Sequence, residues 1–89
     1  MDIKMTKTAL RAAVDLCRTV KPFLPNHLEV EYRALAETIQ MKPGQLFAPI
    51  RVAITGKTFA PPLFDTMSAI GRPRCIERIE VAIDVLDSL

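Results

Sequence analysis

Apolar residues return at the period of an α-helix along most of this chain, in stretches separated by proline and glycine. Leu10, Ala13, Val14, Cys17 and Val20 share one helical face and Lys7, Arg11, Asp15 and Arg18 the other, which predicts a first helix over residues 4–20. Pro22 and Pro25 end it, because a proline disfavours helix in the residue before it. A second helix is expected from Asn26 as N-cap, with Glu29 at capping-box spacing. Its stripe is Leu28, Tyr32, Leu35, Ala36 and Ile39, and Lys42-Pro43-Gly44 stops it. Residues 45–55 repeat the period with Leu46, Ile50, Ala53 and Ile54. Pro49 either starts that helix or kinks it. A strand over residues 50–55 is the competing reading, rejected because no second strand exists to pair with it. Gly56 suits the position just past the helix. A short helix over residues 61–70 follows, closed by Gly71. A last helix from Arg72 carries Ile76, Ile79, Ile83 and Leu86. The pattern predicts an all-α, compact single domain of about five helices over residues 1–89.

Composition narrows the picture. At 89 residues, 49% of them hydrophobic, the chain can build one modest, mainly aliphatic core without tryptophan. It has no apolar run of 18 or more residues, so no membrane-spanning helix is expected. Asp2 among the N-terminal lysines, with no long apolar segment, argues against a signal peptide. Cys17 and Cys75 both fall on apolar-periodic positions and read as buried free thiols. With His27 as the only histidine, they cannot make a clustered zinc site, so no metal is expected.

The net charge of +2 is uneven. Residues 42–78 hold Lys42, Arg51, Lys57, Arg72, Arg74 and Arg78 against only Asp65 and Glu77. Residues 79–89 hold Glu80, Asp84 and Asp87 and no base. The middle is a candidate face for a polyanion, although an excess of this size also arises by chance.

Catalytic constellations are missing. There is no glycine-rich phosphate loop of Rossmann or Walker type and no nucleophile–histidine arrangement, which predicts a non-enzymatic chain. Binding is easier to argue. Arg51 sits on or beside an apolar stripe. It reads either as a surface arginine whose stem packs on neighbours or as a planar fork for a base edge or phosphate. Phe64 is spaced for the core, whereas Phe59 lies in a glycine-to-proline loop and reads as an exposed ring. Pro61, Pro62 and Leu63 would form a stiff apolar ledge. Apolar surfaces beside arginine hold splayed, single-stranded bases. A helix-turn-helix module for duplex DNA is a rival, but its recognition helix, residues 72–88, would turn Glu77, Glu80, Asp84 and Asp87 toward phosphates. A helical protein-docking module is the other rival, with the ledge as its contact.

Three blocks of residues carry a family resemblance. They are Pro49-Ile-Arg-Val-Ala-Ile-Thr-Gly56, Pro61-Pro-Leu-Phe64 and Ile70-Gly-Arg-Pro-Arg-Cys-Ile-Glu-Arg-Ile79. Together with Lys42-Pro-Gly-Gln-Leu46 and Tyr32-Arg-Ala-Leu-Ala-Glu37, they resemble the C-terminal anticodon-binding subdomain of bacterial glutamyl-tRNA synthetases, over about residues 20–86. The resemblance implies that Arg51, Pro61, Leu63 and Phe64 meet the first two anticodon bases of the glutamate tRNA, with Arg51 reading the first. Lys57, Phe59, Arg72 and Arg74 are expected as phosphate or loop contacts. Ala60 stands where serine or threonine is frequent in the family, and Pro73 where an acidic residue is usual. The synthetase's nucleotide-binding fold and signature motifs are absent, as is the preceding helical subdomain. On this reading the chain is an excised domain or a truncated relative, cytoplasmic and monomeric. ATP and Mg belong to the parent enzyme's catalytic domain, and no cofactor is expected here.

Overall fold

The computed structural model describes residues 3–57 and 61–89. It contains five helices: α1 (Ile3–Cys17), α2 (Pro25–Thr38), α3 (Pro43–Thr55), α4 (Leu63–Ile70) and α5 (Arg72–Asp87). No strand occurs among the described residues. The all-α reading therefore holds, and residues 50–55 are helix. α1 and α5 share the most extensive helix pairing, and α3 packs against all four other helices. The expected stripes supply the core. Leu10, Ala13, Val14, Cys17 and Val20 are buried, as are Leu28, Tyr32, Ala36, Leu46, Ile50, Ile54 and Ile79.

Five helix ends differ from expectation, most of them for a local reason. α1 stops at Cys17, before residue 20. The chain tightens there, Thr19 N donating to the Leu16 carbonyl at 2.9 Å. α2 begins at Pro25 with Leu24 as an extended N-cap and no side-chain cap, so Asn26 does not cap it. Proline at the first helical position forces the preceding residue out of the helical region and fixes the start itself. Glu29, released from the capping box, accepts from Arg33 Nε at 3.0 Å one turn on. α2 ends at Thr38, before the Lys42-Pro43-Gly44 stretch, and two residues on Gln40 takes a left-handed φ of 58°. Met41 N bonds to the Ala36 carbonyl and Gln40 N to that of Glu37, a Schellman closure without glycine. α3 starts at Pro43, where Lys42 N donates to Gln45 Oε1 at 3.1 Å, and Pro49 lies inside it. α4 starts at Leu63 rather than at residue 61.

Between α4 and α5 a single residue turns the chain. Gly71 adopts φ 89°, ψ 159°, a conformation essentially confined to glycine. Its N–H closes α4 on the Met67 carbonyl, and its carbonyl accepts from Cys75 N. This junction fixes where α5's arginines point.

Candidate nucleic-acid interface

α3 carries Phe47 and Arg51 four residues apart, hence on the same face. The Arg51 guanidinium donates through Nη1 to the Pro61 carbonyl at 2.8 Å. This bond ties the segment entering α4 back onto α3 and orients the fork beside the two prolines. No acidic partner for Arg51 is found among the described residues. Just beyond, the Thr55 hydroxyl donates to the Arg51 carbonyl at 2.7 Å and accepts from Lys57 N at 3.0 Å. Gly56 takes φ 75° at the end of the helix. The helix end below Arg51 is thus closed in part by residues next to it in the chain.

The apolar part of the face is only partly the expected ledge. Pro61 and Pro62 are exposed. Leu63 is 3% exposed and packs into the core, so its side chain is not displayed on this surface. It is the first residue of α4 and falls on the same helical face as buried Met67. Phe64 is half-buried. It stacks on the Tyr32 ring at 5.9 Å and meets the Phe47 ring edge-on at 5.1 Å. Arg33 lies over the outer side of this cluster, 5.7 Å from the Phe47 centroid. Tyr32, deeper, donates its hydroxyl to the Ala13 carbonyl at 2.7 Å. Burial, then the neighbouring Cys17 thiol, push that hydroxyl's pKa well above its usual value. The Arg33–Phe47–Phe64 group was not singled out from sequence. The four-residue spacing of Phe47 and Arg51 was the available signal.

The expected phosphate contacts separate into two groups. Lys57 and Arg74 are exposed. Arg72 faces inward. Its Nη1 donates to the Cys17 carbonyl at 2.7 Å, its Nη2 to the Val20 carbonyl, and its guanidinium lies 4.8 Å from the Phe23 ring centroid. It closes the end of α1, where the helix dipole places negative partial charge. Arg78 does the same for α3 through the Ile54 carbonyl. Phe59 lies outside the described residues. An apolar groove of about 590 Å³, lined among others by Leu10, Pro49, Val52, Val81 and Val85, shares no residue with this face. Among the described residues no group of three or more histidine, cysteine, aspartate or glutamate side chains could hold a metal ion. No helix among them is long and apolar enough to cross a membrane.

A half-buried arginine beside two exposed prolines and a cluster of aromatic rings is a surface suited to unpaired bases. The family model described as "Anticodon binding domain" matches residues 2–83. Glutamate–tRNA ligase of Roseiflexus castenholzii is 52% identical over 86 residues, covering 97% of this chain and 17% of that protein. Its counterpart in Chloroflexus aurantiacus is 47% identical over 88 residues, covering 99% of this chain and 18% of that protein. Glutamate–tRNA ligase 2 of Thermoanaerobacter pseudethanolicus is 46% identical over 80 residues, 90% of this chain and 17% of that protein. The chain thus spans under a fifth of the length of these relatives, and it belongs to the anticodon-binding domain family.

Proposed function

We propose that this chain is the anticodon-reading module of a glutamate–tRNA ligase and binds the anticodon loop of the glutamate tRNA. The observation that carries the reading is the Arg51 guanidinium, anchored by one nitrogen to the Pro61 carbonyl. Its remaining N–H groups are left for the edge of the first anticodon base. Pro61, Pro62 and the half-buried Phe64 ring supply the apolar surface beside it, and Arg33 over Phe47 extends that surface. Leu63 contributes by shaping the start of α4 from within. Lys57 and Arg74 add attraction to phosphates, and Arg72 acts by fixing α5 rather than by touching RNA. The module does no chemistry itself. The parent ligase supplies glutamate activation, with its ATP and Mg, from parts of the polypeptide outside this span. We place the module in the cytoplasm, as a monomer, with the translation machinery.

Titrating an anticodon stem-loop of the glutamate tRNA into the wild-type chain and into Arg51→Ala at low salt tests the reading. Loss of a base-edge contact is worth about 1–3 kcal/mol, so roughly ten- to a hundredfold weaker binding is expected. A matched stem-loop with an altered first anticodon base should bind wild type as weakly as the variant binds the cognate loop. Equal affinity of both proteins for the cognate loop would remove Arg51 from the interface.

A further inference from the structure

Arg33 on α2 is held in the same manner as Arg51 on α3. Arg51 is tethered through one nitrogen to the Pro61 carbonyl. Arg33 donates through Nε to Glu29 Oε2 at 3.0 Å, one turn back on its own helix. Its Nη1 and Nη2, and Glu29 Oε1, have no hydrogen-bond partner among the described residues. The guanidinium carbon lies 5.7 Å from the Phe47 ring centroid. Phe47 meets Phe64 edge-on, and Phe64 stacks on buried Tyr32. The ring cluster thus runs outward from the core and ends under a guanidinium. The side chains of Arg33 and Glu29 are 54% and 47% exposed, so the pair is fixed yet open to a ligand.

We propose that Arg33 and Glu29 form a further base-reading pocket, which takes the edge of one unpaired nucleobase beyond those met at Arg51. This rests on the anticodon-loop reading and adds one loop nucleotide to it. The chemistry of the pair selects the ligand. A carboxylate bonded to the guanidinium cancels its charge and repels a phosphate oxygen from the same place. A base edge carries an acceptor beside a donor, and the pair offers the complement, Arg33 N–H groups beside Glu29 Oε1. The bond to Glu29 and the Phe47 ring hold the fork before RNA arrives, so less side-chain freedom is lost on contact.

The test measures binding of the anticodon stem-loop of the glutamate tRNA over a salt series. The loop is used intact and with each loop nucleotide in turn made abasic. The proteins are wild type, Arg33→Ala, Arg33→Lys, Glu29→Ala and Arg51→Ala. Both Arg33 variants should bind the intact loop roughly fivefold or more weakly, since lysine lacks the fork. The salt slope should stay as in wild type, because no phosphate contact is lost. Glu29→Ala should also bind more weakly. One abasic position, distinct from those to which Arg51→Ala is blind, should weaken wild type and leave Arg33→Ala no weaker than with the intact loop. Four results would each overturn the pocket: wild-type affinity in Arg33→Ala, rescue by lysine with a shallower salt slope in Arg33→Ala, tighter binding by Glu29→Ala, or abasic losses that add to the Arg33 loss at every position. The second and third are the marks of a phosphate contact. Weakening at Arg33 but not at Arg51 would remove the Arg51 reading and keep this pocket, and the reverse would do the opposite. No binding by wild type at low salt would remove both.

Discussion

The α1–α5 seam and the α3–α4 face use the same side chain in opposite ways. On α5, Arg72 and Arg78 donate to carbonyls at the ends of α1 and α3, Arg72 from a half-buried position and Arg78 from an exposed one. On α3, Arg51 uses one bond to position itself and keeps its fork beside exposed prolines. The six cations of residues 42–78 are therefore not a uniform field for a polyanion. Two of them close helix ends, and only Lys57 and Arg74 of the expected phosphate contacts stand exposed. Local charge excess in a sequence overstates an electrostatic footprint whenever arginine is used to cap.

Four experiments sharpen or break that contrast. The largest effect is expected from Arg72→Ala. Charged hydrogen bonds to two carbonyls and contact with a ring are lost together, for about 2–3 kcal/mol of stability by chemical denaturation. Lysine should not restore it, since one ammonium lacks the fork. Unchanged stability would mean that the α1 end does not depend on this residue. Next is Tyr32→Phe, which leaves the ring contact with Phe64 but deletes the hydroxyl bonded inside the core. A loss of about 1 kcal/mol near neutral pH is expected. The folded-state pKa of Tyr32 is raised, so its contribution is full below the ordinary value of 10.0 and declines as pH climbs above it. The variant's stability should consequently fall less steeply than wild type above that pH.

Smaller still is Gln40→Gly. It relieves a left-handed non-glycine residue and should raise stability by about 0.5–1 kcal/mol, visible as a higher denaturant midpoint. A decrease would show that the Gln40 side chain matters more than its backbone. Least in stability, but diagnostic for binding, is the pair Lys57→Ala and Arg74→Ala. Each should leave the melting temperature unchanged. Each should also reduce the salt dependence of stem-loop binding by about 0.7 in log–log slope, one phosphate contact on a single strand. If Arg72→Ala, refolded and soluble, lowered that slope while these two did not, the division between inward and outward arginines would be wrong.

Much of the architecture was legible from spacing. The positions that repeat along α1, and most of those along α2 and α3, are the buried ones because a helix with one apolar stripe has only one way to hide it. Helix ends were less legible. Asn26 looks like a cap, but Pro25 beside it fixes the backbone more strongly than a side-chain bond could. Gln40 gives no sign of a left-handed turn, since the Schellman bonds and the burial of Met41 stabilise it from outside its own identity. Leu63 and Phe64 are neighbours in one motif, yet one is core and the other a half-open ring, because successive helical residues point about 100° apart.

What the sequence determined alone was the helical period, the apolar stripes, the proline and glycine punctuation, and the motif that marks the family. What only the tertiary structure decided was the direction of each cation and ring. Arg51, Arg72 and Arg78 are chemically identical. Which of them closes the end of another helix and which keeps its fork beside the exposed prolines depends on how Gly71 turns α5 and how α3 lies across it. That is a long-range geometric outcome, which no local window of residues encodes.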